Sequence, residues 1–334
     1  MLNILKSLCE CDGVSAREDK IAELICELLR TRCDELYRDK CGNLISKING
    51  KSDEKRIVYT SRMDMQGCIV THIEDSGKIR FFPLGSFNAL SMLYSRVIFS
   101  NGQTGIILPD SKDKKEFKAE DLYVDAGYTS RSCEGGVSVG DTFTYERKFS
   151  FLGDSKICSP ALDGRIGCAL LVRAILEMEA PQYDSYFVFT AQSRVGARGA
   201  KTAVKNIDPD IIIELDASHT EKEDNALLPK VESGKGPAIL LTNRALVSCE
   251  CLVSKAEAIA KENGIPLQKE ISRAGGSDAA AMQACGRGAK TLTLTVPVNN
   301  SDTSLECADK TDIEHAYTLL SELIKTNLCK DIGE

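Results

Sequence analysis

One stretch near the middle of the chain limits the possible folds more than any other. Residues 186–190 form an apolar run typical of a β-strand, a polar turn follows over residues 191–199, and a helix is predicted for residues 200–206. A second apolar strand, residues 211–215, ends at Asp216. In open α/β sheets, ligands bind at the carboxyl ends of the strands. The pattern therefore predicts a functional site at this edge, with the rest of the chain as its framework.

The remainder of the chain continues the alternation of helices and strands. Further helices are predicted at residues 21–29, 163–178, 254–263, 277–285 and 313–328, and strands at residues 42–48, 56–60 and 290–296. Ser15 and Glu18 precede the first of these helices at the spacing of a capping box. Alternating strands and helices predict an α/β fold with a mixed, largely parallel sheet and helices on both faces.

Between residues 67 and 152 the pattern changes to short β-branched runs separated by turn residues. Strands at this spacing predict a small β-rich barrel or sandwich. Because this segment interrupts the α/β pattern, we expect an inserted domain at residues 67–152. The α/β domain would then consist of residues 1–66 and 153–334.

Composition excludes several classes of protein. The chain has 334 residues and a net charge of −7, and its acidic and basic residues are interspersed, so no nucleic-acid surface is expected. No apolar run reaches the ~20 residues of a membrane span, and the N-terminus lacks the apolar region of a signal peptide. The 14 cysteines include no C-x-x-C pair, which favours reduced, buried thiols. These features predict a cytoplasmic protein that binds neither nucleic acid nor membranes.

Several short motifs follow one another along the chain. They are Asp39-x-x-Gly42-Asn43-Leu44, Met63-Asp64 with Gly67, Asp163-Gly164-Arg165-x-Gly167-Cys168, Gln192-x-x-Val195-Gly196-x-Arg198-Gly199-Ala200 and Gly275-Gly276-Ser277-Asp278-Ala279. In type and order they resemble the motifs of the tetrahedral aminopeptidases. These are two-metal peptidases of the glutamyl-aminopeptidase type, some of which carry a cellulase or glucanase label.

The resemblance implies a fold, an assembly and a metal site. The family places a β-rich dimerisation domain at the position of the insertion, and its dimers build tetrahedral dodecamers. Its enzymes hydrolyse peptides with two divalent metals. By position, Asp163 corresponds to the carboxylate that bridges the metals and Asp216 to a further ligand. Asp64 corresponds to a carboxylate that orients a neighbouring histidine ligand.

Four positions inside these motifs depart from the family pattern. Arg62 stands where a histidine ligand is expected, and Ser193 where the catalytic glutamate base is expected. Arg194 stands at the position of an adjacent glutamate ligand, and Asp302 at that of the last histidine ligand. Arginine stays protonated and has no lone pair to offer a metal. A serine without a nearby histidine or lysine is a poor proton acceptor.

Two hypotheses follow for the function. The first is a homologue that has lost its two-metal centre, needs no cofactor and acts as a scaffold, a partner subunit or a peptide-binding protein. The alternative is an active metallo-aminopeptidase with one Zn²⁺ or Co²⁺ ion on Asp163, Asp216 and Asp302. His219, three residues after Asp216, either approaches this site or is an ordinary surface histidine. Ser277 is predicted to cap the helix that follows it.

The two arginines suggest how an empty metal site would be neutralised. Carboxylates buried together without a cation raise one another's pKa and destabilise the fold. We therefore expect Arg62 to reach Asp216 or Asp163, and Arg194 to reach Asp163 or Asp302, with bidentate geometry available to each guanidinium. The alternative is that both arginines turn outward to solvent.

Overall fold

The computed structural model describes residues 1–86, 88–114, 116–130, 136–220, 228–273 and 276–329. Gly275 of the glycine-rich motif therefore lies outside the described residues. The described α-helices are α1 (Leu2–Glu10), α2 (Asp19–Leu29), α3 (Ala89–Met92), α4 (Leu162–Glu177), α5 (Arg198–Ile207), α6 (Glu250–Glu262), α7 (Asp278–Gln283) and α8 (Lys310–Lys325). Among these helices, none combines the length and the apolar composition that a membrane span requires.

The strands of the first half are β1 (Glu35–Arg38), β2 (Leu44–Ile48), β3 (Ser52–Arg62), β4 (Gly67–Ile73), β5 (Ile79–Leu84), β6 (Arg96–Phe99), β7 (Thr104–Pro109), β8 (Leu122–Asp125) and β9 (Thr142–Tyr145). Those of the second half are β10 (Ser150–Leu152), β11 (Lys156–Ser159), β12 (Tyr183–Thr190), β13 (Ile211–His219), β14 (Ala238–Thr242), β15 (Gln268–Ile271), β16 (Lys290–Asn299) and β17 (Glu306–Asp309). They divide into one large sheet and one closed barrel.

The large sheet has the order β1-β2-β12-β3-β13-β16-β17-β11-β10, and β14 joins β16 and carries β15 on its other side. Its centre, β12-β3-β13-β16, is parallel, whereas β1, β2, β10, β11 and β17 pair antiparallel with their neighbours. The predicted mixed sheet is confirmed, with parallel pairing concentrated at its centre. The four central strands end at one edge, as the first sequence pattern indicated.

Helices cover both faces of the sheet, as predicted. Alternate residues of β3 point to opposite faces, so Ile57 and Tyr59 join one apolar cluster and Val58 joins the other. The first cluster includes buried residues of α1, α2, α4, α6 and α8. The second includes those of α5 and α7. Helix α4 is buried on almost all sides because it lies in the larger cluster, between the sheet and other helices.

Strands β4 to β9 form a closed six-stranded barrel in the order β4-β5-β8-β7-β6-β9. Its interior is a separate apolar cluster that includes Phe81, Phe99 and Phe143. The predicted β-rich insertion is thus a barrel. The next strand, β10, pairs with β11 in the large sheet, and the exact division of the chain into domains stays a prediction.

The predicted capping box before α2 is wrong. The helix begins at Asp19, and no side chain caps it. The Ser15 hydroxyl instead donates to Asp64 Oδ2 at 2.5 Å. Glu18 Oε1 accepts the backbone N–H groups of Ala16 at 3.0 Å and Gln192 at 2.7 Å. Both side chains are therefore directed to the edge of the sheet, where tertiary partners outcompete the local cap.

Gly167 allows α4 to lie directly on the sheet. A Cβ atom at this position would lie 2.2 Å from Ser61 Oγ and 2.7 Å from the Leu215 carbonyl oxygen. The serine side chain could rotate away, but the Leu215 backbone belongs to β13 and is held by its neighbours. A glycine at this helical position is therefore required by the close approach of helix and sheet.

We expect Gly167→Ala to lower the stability of the protein, although alanine is the better helix former. The gain of ~1 kcal/mol in helix propensity is opposed by an overpacking cost of ~1–3 kcal/mol and by the displacement of α4. The measurement is the melting temperature, with Lys205→Ala on the exposed face of α5 as the control. An increase in melting temperature for Gly167→Ala would contradict this packing argument.

Candidate functional site

A cavity of about 670 Å³ opens at the edge where the four central strands end. Strand β3 ends at Arg62, β12 leads to Ser193 and Arg194, and β13 carries Asp216. Asp302 follows β16, and Asp163 lies in the first turn of α4. These six residues line the cavity, and His219 lines it as well. The structure therefore brings all of the sequence-predicted lining positions together and places His219 at the cavity.

Arg62 lies between two carboxylates. Its Nη2 atom is 3.1 Å from Asp163 Oδ2 and 3.0 Å from Asp216 Oδ1. The side chain of Asp163 is 1% exposed, and those of Arg62 and Asp216 are each 16% exposed. The guanidinium therefore bridges the two carboxylates that the resemblance assigned to metal binding. Both of the partners expected for Arg62 are contacted.

Arg194 approaches the same carboxylate from the other side. Its Nη2 atom is 2.5 Å from Asp163 Oδ2, and its Nη1 atom is 3.3 Å from Asp302 Oδ1. The arginine side chain is 6% exposed. The expected partners are again both contacted, but the geometry differs from the predicted bidentate pairing. Both guanidinium groups converge on one oxygen of Asp163, because each arginine spans two separate carboxylates.

The charges in this cluster stabilise one another. Burial by itself would raise the pKa of Asp163, but the positive charges of Arg194 and Arg62 outweigh burial and hold this pKa well below its usual range. Burial would likewise lower the pKa of Arg62, which the charges of Asp216 and Asp163 instead raise above its usual value. The buried pairs of Asp163 with Arg62 and Arg194 therefore favour the charged form of each partner.

Asp64 lies behind the cavity and supports its wall. The carboxylate is 1% exposed. Its Oδ2 atom accepts the Ser15 hydroxyl at 2.5 Å and the backbone N–H of Arg194 at 2.9 Å. The family role expected for Asp64 is to orient a histidine, and no histidine stands beside it in this sequence. Here the carboxylate holds the backbone of Arg194 instead.

Ser193, at the position of the catalytic base, is a hydrogen-bond donor. Its hydroxyl donates to Asp278 Oδ1 at 2.7 Å, and the Thr190 hydroxyl donates to Asp278 Oδ2. Burial raises the pKa of Asp278 to about 6, and the negative charge of Asp64 adds to the rise. Ser277 caps α7 by accepting the Ala280 N–H, as predicted. The Ser193 hydroxyl is thus engaged with a carboxylate, and no described contact makes it a proton acceptor.

The loops that carry these residues contain uncommon backbone conformations. Positive φ angles occur at the non-glycine residues Ala161, Gln192, Ala197, Asn300 and Asp302. Such conformations cost of order 1–3 kcal/mol each and persist where the surroundings over-determine them. They flank Asp163, Arg194 and Asp302, so the surrounding structure holds the charged cluster in place against local preference.

The motif around Asn43 ties one of these loops to the sheet. Asn43 Nδ2 donates to Asp39 Oδ2 at 2.6 Å and to the Gly199 carbonyl at 2.9 Å. Asn43 Oδ1 accepts the Ala191 N–H at 2.9 Å. The amide therefore fixes both ends of the turn that presents Ser193 and Arg194. This buried amide explains why that motif belongs to the site although it does not line the cavity.

The residues present do not fit two divalent cations. Two such ions require open carboxylate oxygens, whereas Asp163 Oδ2, Asp216 Oδ1 and Asp302 Oδ1 are each within salt-bridge distance of a guanidinium. Two fixed positive charges at this position would repel any added cation. The arrangement therefore argues against the two-metal centre that the resemblance implies.

One smaller carboxylate group remains within the described part of the chain. Asp163, Asp302 and Glu306 each offer an oxygen within 4.8 Å of the others. Glu306 takes the place that the sequence hypothesis gave to Asp216. Its Oε2 atom accepts the Asp163 N–H and its Oε1 atom accepts the Asp302 N–H, both at 3.0 Å. Burial and the charge of Asp163 raise the pKa of Glu306 well above its usual range.

Sequence reasoning missed Glu306, Glu18 and Ser15 as parts of the site. Glu306 lies four residues after Asp302, at the end of the same segment. This short spacing is the sequence signal that could have identified it as part of the site. The spacing of Ser15 and Glu18 indicated a capping box, and this local interpretation did not predict their long-range partners. Only their tertiary contacts, with Asp64 and with the backbone N–H of Gln192, decide between the two roles.

Comparison with known proteins agrees with this fold and with the motifs. The family model of M42 glutamyl aminopeptidases matches residues 42–319. A protein of Acetivibrio thermocellus is 37% identical over 328 residues, covering 97% of this chain and 98% of the relative.

Two solved structures are similar over nearly their whole length. An aminopeptidase from the archaeon Desulfurococcus kamchatkensis has a TM-score of 0.93 at 27% identity, covering 99% of this chain and 97% of that one. The TET1 peptidase of Pyrococcus horikoshii, which can assemble into a tetrahedron or a large octahedral shell, has a TM-score of 0.88 at 28% identity, covering 97% of this chain and 98% of that one. The chain belongs to the M42 glutamyl aminopeptidase family.

Proposed function

We propose that this family member has lost two-metal peptide hydrolysis and acts as a non-catalytic scaffold, partner subunit or peptide-binding protein. The observation that carries the proposal is the pair of guanidinium groups of Arg62 and Arg194 on Asp163, Asp216 and Asp302. Arginine has no lone pair for a metal, and its charge replaces that of a cation. The cavity of about 670 Å³ remains available to a ligand.

The position of the general base supports the same proposal. Peptide hydrolysis needs a group that removes a proton from the attacking water. Ser193 stands at that position, and its hydroxyl donates a hydrogen bond to Asp278. The cavity would then bind a peptide without activating water against it.

One observation favours a second function, an altered metallo-aminopeptidase. Asp163, Asp302 and Glu306 are close enough to hold a single divalent cation. A Zn²⁺ or Co²⁺ ion bound there would supply a Lewis acid that polarises a peptide carbonyl. Both oxygens of Glu306 already accept backbone N–H groups, and its raised pKa favours the neutral form. These features make the metal hypothesis less favoured than the non-catalytic proposal.

We also propose that the chain forms homo-oligomers through its barrel. The related peptidase of Pyrococcus horikoshii assembles into closed shells. On this chain, Phe82 and Ile106 are apolar barrel residues that are 63% and 45% exposed. A second copy that covers these side chains would remove them from water.

Removal of either arginine should destabilise the protein. The carboxylates would lose one of their two counter-charges, and breaking a buried pair in this way costs on the order of 3–5 kcal/mol. We expect Arg62→Ala and Arg194→Ala each to lower the melting temperature clearly. The matched control is Arg287→Ala, because Arg287 is 81% exposed in its pair with Asp208 and such pairs contribute about 0–1 kcal/mol. Unchanged melting temperatures for both buried arginine variants would refute cation replacement.

Purified protein should show background turnover of aminoacyl p-nitroanilides after reconstitution with Zn²⁺ or Co²⁺. The loss of a general base costs roughly 10²–10⁴-fold by itself, and the loss of the metals costs more. Elemental analysis of the same sample should find no bound divalent metal. Metal-dependent turnover that Asp163→Ala abolishes would establish the altered metallo-aminopeptidase instead.

Light scattering at micromolar concentration should find at least a dimer. Phe82→Glu, which places a charge on the exposed barrel surface, should shift the population towards smaller species. His72→Glu offers a control, because His72 is an exposed barrel residue that is already polar. A monomeric wild-type protein would contradict the proposed assembly.

A further inference from the structure

Two thiols lie in contact at the start of α6. Cys249 is the N-cap residue of this helix, and Cys251 lies in its first turn. Their Sγ atoms are 3.1 Å apart, so one thiol can donate a hydrogen bond to the other. Both cysteines are free thiols and half-buried. Because a covalent S–S bond is about 2.0 Å long, the two sulfur atoms need to approach each other by only about 1 Å to form one.

The backbone fixes the two cysteines relative to each other. The Cys249 N–H donates to the Thr291 carbonyl of β16 at 2.8 Å. The Cys249 carbonyl accepts the N–H groups of Leu252 and Val253, both at 3.0 Å. Leu252 is fully buried in the larger apolar cluster and anchors the first turn of α6. Since the sheet and the helix already hold this segment, little conformational freedom is lost when the sulfur atoms become linked.

The pair is separate from the cavity and can be reached from solvent. Both cysteines pack against the larger apolar cluster, on the face of the sheet that α6 covers. Leu240, which lines the cavity, belongs to the cluster on the other face. Glu250, between the two cysteines, is exposed, and Val247 just before them is 70% exposed. A small reagent can therefore contact the thiols without entering the cavity.

The surroundings of the pair distinguish its two thiols. Burial and the contact with Cys249 raise the pKa of the Cys251 thiol, and the charge of Lys290 and the Leu252 N–H oppose this rise. A thiolate is the form that attacks a disulfide, and the N–H groups at the start of a helix stabilise negative charge. The raised pKa of Cys251 makes Cys249 the thiol that attacks first and Cys251 the one that completes the reaction.

We propose that Cys249 and Cys251 form a thiol–disulfide exchange site that reacts with low-molecular-weight disulfides and closes to an intramolecular disulfide. The Cys249 thiolate attacks one sulfur atom of the reagent, which forms a mixed disulfide and releases one reagent thiolate. The deprotonated Cys251 sulfur then attacks Cys249 Sγ and expels the second reagent thiolate. Two protein thiols are oxidised, the reagent is reduced to two thiols, and the two cysteine protons pass to them.

This inference does not depend on the proposed function, because neither cysteine lines the cavity. Peptide binding, peptide hydrolysis and disulfide exchange use different residues. The result of the exchange experiment is therefore the same whether the cavity binds peptides, hydrolyses them or does neither.

Trypsin provides a direct test, because cleavage after Arg244 and Lys255 releases residues 245–255, which contain these two cysteines and no other. The folded protein is treated with oxidised glutathione, quenched with iodoacetamide and mapped by mass spectrometry without reduction. We expect residues 245–255 to lose two hydrogen atoms and to take up no iodoacetamide. Dithiothreitol should restore alkylation of both cysteines. A peptide that stays fully alkylated after oxidation, or that retains glutathione, would overturn the proposal.

Three variants test the order of the two steps. Cys251→Ser should stop at a glutathione adduct on Cys249, because the second thiol is missing. Cys249→Ser should react more slowly, because the raised pKa of Cys251 leaves less thiolate. Cys41→Ser makes the same change at another half-buried cysteine and should leave closure of the disulfide unchanged. Faster reaction of Cys249→Ser than of Cys251→Ser would overturn the assigned order. Melting curves establish that each variant is folded, and the wild-type peptide map decides the proposal if one is not.

Discussion

The charge balance around Asp163 is the constraint on which the site depends. This carboxylate is almost fully buried, and water cannot stabilise its charge. Two guanidinium groups supply that stabilisation, one from the last residue of β3 and one from the loop after β12. Arg62, Arg194, Asp216 and Asp302 are held around Asp163 as one network. Residues of β3 and β13 and of the loops after β12 and β16 therefore meet around a single buried charge.

Contacts to the backbone around the network hold the charged residues in position. Asp64 accepts the N–H of Arg194, and Asn43 binds both ends of the turn that carries it. Left-handed residues such as Gln192 and Asp302 add local strain. In this chain, the same contacts support a turn that carries Ser193 and Arg194. These contacts hold the cavity in a preorganised form, whichever chemistry its residues support.

The cavity has a charged part and an apolar part. Around Asp163, the aspartates and the two arginines neutralise one another. Apolar residues that include Leu240 and Ala281 line the cavity as well. We propose that this arrangement binds a peptide without hydrolysing it.

The sequence alone determined the α/β class, the position of the β-rich insertion, the family, and the arginine-for-ligand changes, because periodicity and motif order are local properties. Tertiary structure decided the rest. It showed that Arg62 and Arg194 share one oxygen of Asp163, and that Ser15 and Glu18 serve the site rather than a helix cap. It also brought Glu270 into the cavity from a peripheral strand. Side-chain geometry and strand order depend on contacts between residues far apart in the chain, which no local pattern encodes.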